Sequence, residues 1–281
     1  MTRTVGPLVR PAGAPGPDGA IHRLSPADAG WTWTSFDVHE LVPGARVDRP
    51  GDDSEVLVLV LEGTCAVTVG DAHLGPVGER ASVFDGPPAG VVLCSPGEAV
   101  AVVAQTRSLL AVAAAPAGDV RRTAVIARET ILVETRGEGA NQRMIKNLLP
   151  PDAEAGRLIA VEAYTPAGNW SSYPPHKHDT DDPPNESQLE ELYFYRFAKA
   201  TGFAIQRVYT ADRSLDETMT ARDLDVILVP RGYHVVGAAP GYDTWYLNVM
   251  AGPERVWRFT VDPDHRWLMN WDPAAPREAT R

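Results

Sequence analysis

The chain has 281 residues, 44% of them hydrophobic, which suits about two domains with a substantial core. Its net charge of −11 argues against a dedicated nucleic-acid binder, which carries a basic patch or stripe, and against adhesion to an anionic membrane surface. No segment approaches the roughly 18 apolar residues of a membrane span, and residues 1–20 lack the apolar core of a secretory signal, so a cytoplasmic location is expected.

In chain order, 24 glycines and 25 prolines punctuate short apolar runs, the rhythm of an all-β protein. The first half has runs at 55–61, 65–69, 90–94, 99–104 and 108–115, parted by turn signals such as Glu62-Gly63, Gly70-Asp71 and Pro96-Gly97. Several runs are apolar on successive residues, which predicts strands covered on both faces. An Ala-rich helix over 109–115 competes, but the run is short and Pro116 follows it. Cys65 and Cys94 lie inside these runs and are expected as buried reduced thiols. The second half offers strands at 158–164, 189–197, 202–209, 225–229, 244–250 and 256–259. A connecting segment over 120–155, containing RGEGANQR at 136–143, predicts a boundary that makes 1–135 one unit and 136–281 the other. Both halves read as similarly sized all-β barrels, although no strict repeat is visible.

The chain has seven histidines, and two of them form His176-Lys177-His178. Pro174-Pro175 just before them forces extended backbone. On a strand, alternate side chains share a face, so both imidazoles project together with Lys177 opposite. A polar, acidic loop over 179–188 follows, and then Glu190-Glu191-Leu192-Tyr193-Phe194-Tyr195. Its alternation puts Glu191, Tyr193 and Tyr195 on one face and Leu192 and Phe194 on the other, with Glu190 pointing away from Glu191. A third piece, DVILVPRGYH at 225–234, is an apolar strand that ends at Pro230, turns at Gly232 and presents His234. Three His and one Glu without a thiolate suit a divalent ion such as Zn or Mn, with Fe, Ni and Co also compatible, and disfavour a closed structural zinc site. The competing reading has chance H-x-H spacing and a hydrogen-bonded turn histidine at 234; three pieces in this order favour the metal.

The order of these pieces resembles the cupin superfamily, with His176, His178 and Glu191 matching its first motif and Pro230, Gly232 and His234 its second. The chain departs in placing twelve residues between His178 and Glu191 and in setting His234 one residue closer to the Pro-x-Gly turn. At finer grain, NWSSYPPHKHD, LEELYFYRF, GFAIQRVYT and YLNVMAGPERVWRFTVDPDH resemble the 5-deoxy-glucuronate isomerases of myo-inositol catabolism, with the 5-keto-4-deoxyuronate isomerases related. The resemblance covers most of 136–268. It implies a bicupin, two tandem jelly-roll-like barrels with short connecting helices, with one metal in the C-terminal barrel and a metal-free N-terminal partner. It also implies interconversion of 5-deoxy-D-glucuronate and 5-dehydro-2-deoxy-D-gluconate.

Such an aldose–ketose isomerase moves a proton between C2 and C1 of a small sugar acid. Glu191, Tyr246 and His265 are the candidates for that transfer, and Arg143, Arg207 and Arg231 for binding the substrate carboxylate. Trp170, Trp245 and Trp257 read as core or interface residues. The aromatic tail, with Trp257, Trp267 and Trp271, could cover the other barrel or a partner subunit, which leaves a homo-oligomer open. Rival functions are a cupin dioxygenase, using the same ligands for a redox metal, and a non-catalytic sugar-acid-binding bicupin.

Overall fold

The computed structural model describes residues 5–118, 120 and 122–270. Strands dominate it, cut short by the glycines and prolines. The first eleven are β1 (Val9–Arg10), β2 (Ala20–Leu24), β3 (Ser35–Leu41), β4 (Arg46–Arg49), β5 (Ser54–Glu62), β6 (Thr64–Val69), β7 (Ala72–Gly78), β8 (Gly90–Cys94), β9 (Val100–Ala104), β10 (Ser108–Pro116) and β11 (Ala124–Ile126). The rest are β12 (Val133–Arg136), β13 (Arg143–Leu149), β14 (Ile159–Thr165), β15 (Trp170–Lys177), β16 (Glu190–Phe197), β17 (Phe203–Tyr209), β18 (Asp216–Arg222), β19 (Val226–Val229), β20 (Tyr233–Ala238), β21 (Thr244–Ala251) and β22 (Thr260–Val261). Among the described residues, helical structure is limited to Pro26–Ala29 and three 3-10 segments, at Arg128–Thr130, Gly139–Asn141 and Pro263–Asn270.

These strands form four sheets. A six-stranded sheet, β11-β8-β5-β10-β3-β2, and a four-stranded one, β4-β9-β6-β7, enclose the first barrel. A seven-stranded sheet, β1-β19-β16-β21-β14-β13-β12, and a five-stranded one, β18-β17-β20-β15-β22, enclose the second. The two larger sheets correspond strand for strand over β8-β5-β10-β3-β2 and β19-β16-β21-β14-β13. The protein is a bicupin.

The continuous apolar runs arise because the two large sheets pack back to back. In β5, Val56, Val58 and Val60 fill the first barrel. Leu57, Leu59 and Leu61 instead join Phe36, Leu192, Phe194, Trp245 and Leu247 in a core shared by both barrels. Burial of each such side chain contributes about 1.5–3 kcal/mol, so this shared layer holds the barrels together. The run at 108–115 is the strand β10, between β5 and β3, and not a helix. One expected strand is absent. Residues 256–259 are irregular because their backbone is claimed by Ser187, whose Oγ donates to Val256 O at 2.5 Å and accepts from Arg258 N at 3.0 Å.

Two reciprocal clasps join the barrels. Glu55, entering β5, accepts from the amides of Gly156, Arg157 and Leu158 at 2.5–2.7 Å. Glu190, entering the corresponding β16, accepts from Thr32, Trp33 and Thr34 at 2.5–3.0 Å. The chain also crosses over at its start: β1 pairs with β19, Val9 opposite Ile227, and so completes a sheet of the second barrel.

Candidate metal centre

The site lies inside the second barrel. In β15 the pairing register with β20 shifts between Ser171 and His176, a bulge that accommodates Pro174 and Pro175, which have no N–H to give to the ladder. His176 then sits opposite His234 on β20. Gly232 makes that register attainable: its φ is 89°, and a Cβ there would come within 2.5 Å of Tyr209 O. The long 179–188 loop folds onto itself. Lys177 Nζ contacts Asp179 and Glu186, each at 2.7 Å, and Glu186 Oε1 accepts the amides of Asp179 and Thr180 at 2.9 and 3.0 Å. Leu189 N then donates to His178 O at 2.9 Å, so the insertion closes and leaves His178 beside Glu191.

The ligand atoms of His176, His178 and His234 lie within 4.8 Å of one another. Glu191 Oε2 is 3.0 Å from Nε2 of His178 and 3.0 Å from Nε2 of His234. Each imidazole turns its Nδ1 to a backbone carbonyl: Pro174 at 3.0 Å, Leu189 at 3.2 Å and Gly232 at 3.3 Å. With the proton on Nδ1, each Nε2 presents a lone pair. Apart from its 3.0 Å contact with Glu191 Oε2, the buried Nε2 of His234 has no partner. Lone pairs and a carboxylate thus converge on one point without a donor among them. That is the donor set a divalent cation requires, with the outer nitrogens fixed as in protein metal sites. The electrostatics differ among the imidazoles. Burial and the two neighbouring imidazoles push His176 down to about 3, which keeps it neutral. Burial also depresses His178, but the Glu191 carboxylate more than reverses this. Burial alone would raise Glu191; His234 and His178 hold it well below its ordinary value.

Sequence reasoning missed Asn248. Its Nδ2 donates to Glu191 Oε1 at 2.5 Å and to Leu192 O at 3.2 Å, fixing the carboxylate. The signal was an Asn within the apolar strand β21, two residues from Tyr246 and on its face. Glu190 is spoken for by the inter-barrel clasp, so Glu191 alone of the pair faces the histidines.

A cavity of about 230 Å³ adjoins the cluster, lined among others by His176, Glu191, Tyr193, Tyr246, Asn248, Arg136, Arg143, Trp257 and Met269. Burial pushes the Tyr246 phenol up while Ser171, Ser172 and the Arg143 charge pull it back. Three of the expected residues lie elsewhere. Arg207 is on the outer side of β17, paired with Asp216 at 2.8 Å and stacked on Tyr209. Arg231 is exposed, its guanidinium 3.4 Å from Ser214 Oγ. His265, in the 3-10 segment Pro263–Asn270, does not line the cavity. Strand geometry explains both arginines: Arg207 alternates with the inward Gln206 and Val208, and Arg231 sits in the turn before β20. Trp245 is in the shared core and Trp170 lies half-exposed over Gly237; Trp257 packs against the small buried cluster of Ile159, Leu189 and Met250, as expected, and also lines the cavity. Trp267 is exposed, and Trp271 lies outside the described residues.

The comparisons with known proteins agree with this architecture. An IolB-like protein from Salmonella typhimurium superposes with a TM-score of 0.91 at 41% identity, covering 94% of this chain and all of that one. An oxalate decarboxylase from Bacillus subtilis superposes with a TM-score of 0.63 at 11% identity over 92% of this chain and 80% of that one, a likeness of fold. A protein of Geobacillus kaustophilus named 5-deoxy-glucuronate isomerase is 41% identical over 271 residues, 96% of this chain and 98% of its own. One of Bacillus subtilis with the same name is 40% identical over 250 residues, 89% and 92% of the two chains. The sequence model of the KduI/IolB family matches residues 8–268. The chain belongs to the KduI/IolB family.

Proposed function

We propose that the chain is a metal-dependent aldose–ketose isomerase that converts 5-deoxy-D-glucuronate to 5-dehydro-2-deoxy-D-gluconate in myo-inositol degradation, in the cytoplasm. The observation that carries this reading is the set of relatives so named, about 40% identical over most of both chains, together with the His–Glu cluster beside a small cavity. His176, His178, His234 and Glu191 are the metal ligands, with Zn or Mn the ion that suits this nitrogen and oxygen set. When bound, the ion supplies the positive charge that stabilises the anion developing along C1–C2 and lowers the adjacent hydroxyl pKa.

The remaining work falls to side chains. Glu191, held ionised, is the base that takes the proton from C2 and returns it to C1. Asn248 keeps that carboxylate from turning. Tyr246, held protonated by burial, exchanges a proton with the substrate oxygens. Arg143 offers its guanidinium to the carboxylate at the far end of the substrate. The test is direct: metal-loaded protein is mixed with 5-deoxy-D-glucuronate and ketose formation is followed. Ketose is expected, and its formation is expected to fail in His176→Ala plus His178→Ala, which removes two ligands. Fully metallated wild type that yields no ketose would overturn the assignment.

A further inference from the structure

The segment RGEGANQR forms the β12–β13 hairpin, and its two arginines stand directly opposite each other: Arg136 is the cross-strand partner of Arg143. Like charges placed this way destabilise a sheet, so the pair needs a compensating anion. Among the described residues, one carboxylate hydrogen-bonds the pair, and Glu138 also lines a cavity beside it. Glu134 Oε1 accepts from Arg136 Nε at 3.0 Å and Nη2 at 2.5 Å. Arg143 is half-buried and donates to Asn141 O at 3.0 Å; among the described residues no carboxylate hydrogen-bonds it. Gly137 leaves room for it, since a Cβ at 137 would come within 2.6 Å of Arg143 Nη1.

Both guanidiniums line the metal cavity and also a second cavity, of about 390 Å³, that opens beside it. They therefore stand at the junction of the two, away from the histidine end. A further donor belongs to the same place. Trp257 lines the metal cavity, its ring lies 5.7 Å below the Arg136 guanidinium, and its Nε1 is buried with no hydrogen-bond partner.

We propose that Arg136, Arg143 and the Trp257 indole N–H form one seat for a single carboxylate, and that Arg136 and Trp257 are specificity-determining residues that select a sugar acid over the corresponding neutral sugar. Glu134 pairs with Arg136, and Glu138 lines the second cavity without an ion pair to either arginine, so the Arg143 charge is the one left for an anion. The planar fork of arginine matches a carboxylate, and the indole supplies one more directed donor. The sugar acid then enters with its carboxylate at the cavity junction and its C1–C2 end toward the histidines. This rests on the isomerase reading for the identity of the substrate, but not for the existence of the seat.

The experiment compares D-glucuronate with D-glucose, which differ at C6, as competitive ligands of the metal-loaded full chain, in wild type, Arg136→Met and Trp257→Phe. Wild type is expected to prefer the acid. Each substitution is expected to cut that preference about tenfold, the size of one charge-assisted hydrogen bond. The KM for the acid substrate should rise more than kcat falls, with glucose affinity, metal content and melting temperature unmoved. Arg136→Lys, which keeps the charge but loses the fork, should fall between. If Arg136→Met fails to fold, Trp257→Phe decides, because it removes the N–H while keeping an aromatic ring. An acid preference that survives Trp257→Phe and a folded Arg136→Met overturns the seat. A wild type that keeps the preference but forms no ketose overturns the isomerase reading and leaves the seat standing.

Discussion

Two adjacent glutamates do separate work, and replacing them one at a time should separate stability from metal binding. Glu190 accepts three amides of the 32–34 segment across the barrel interface, and its side chain is buried. Glu190→Ala leaves Thr34 N, which is buried, without an acceptor, and exposes Thr32 N and Trp33 N only in part. A buried donor left unsatisfied costs about 1–3 kcal/mol. Taking the buried amide near the upper limit and the other two near the lower limit gives a loss of about 5 kcal/mol. For barrels of this size each kcal/mol lowers the melting temperature by roughly 2–4 °C, so a drop on the order of 10 °C is expected. Metal content at a temperature well below the transition should stay at the wild-type level. Glu191→Ala should do the reverse: the metal is lost, while Leu192 and Phe194, which face the shared core, keep the strand in place. Thermal unfolding followed by circular dichroism, with metal measured on the same samples, reads both effects. A Glu190→Ala protein that melts with wild type and loses its metal would show that the two residues have been assigned to the wrong sides of β16.

Asn248→Ala should weaken metal binding about 10–100-fold, the usual cost of removing a group that orients a ligand, as read by competition with a chelator; unchanged affinity would remove Asn248 from the site. Burial holds the Asp37 carboxyl above its ordinary 3.8, against the pull of His39, Arg23 and Arg49. The folded state therefore binds this proton more tightly than the unfolded state, and the ionised form weakens the fold. Asp37→Asn should raise the melting temperature at pH 7, by an amount that shrinks as pH falls through the raised folded value and vanishes below 3.8; a difference that grows on acidification would contradict this. Burial pushes Cys94 up to about 12 and raises Cys65 as well. Alkylation at pH 8 should therefore be slow in the folded protein and fast in urea, and rapid labelling of the native chain would refute it.

The legible parts of this protein were those where side-chain period and turn chemistry act locally. The run at 90–94 is β8 residue for residue, and the alternation after Glu191 separates a barrel face from a shared-core face as expected. H-x-H, Glu191 and His234 could be joined because each sits on a strand or turn whose direction follows from its neighbours. What stayed hidden depends on pairing between distant segments. Strands β2, β3, β4, β13 and β18 mix polar residues among their apolar ones and carry no long apolar run. Arg136 drew no attention because its significance lies in facing Arg143, a matter of hairpin register. Arg207 and Arg231 were attractive as cations near the motifs, but which side of a strand or turn faces the cavity decides their role. The missing strand at 256–259 is a case of one serine side chain outcompeting a backbone ladder.

The pairing of β1 with β19 carries a consequence for how the molecule comes together. Val9 emerges from the ribosome early and must wait for Ile227 before its backbone finds a partner. The first barrel can therefore close while its leading segment is still loose, and the second stays open along one edge until that segment returns. A C-terminal half produced alone would present β19 as an unpaired edge, the kind of surface on which chains aggregate. Supplying the leading segment as a separate peptide offers a way to seal it.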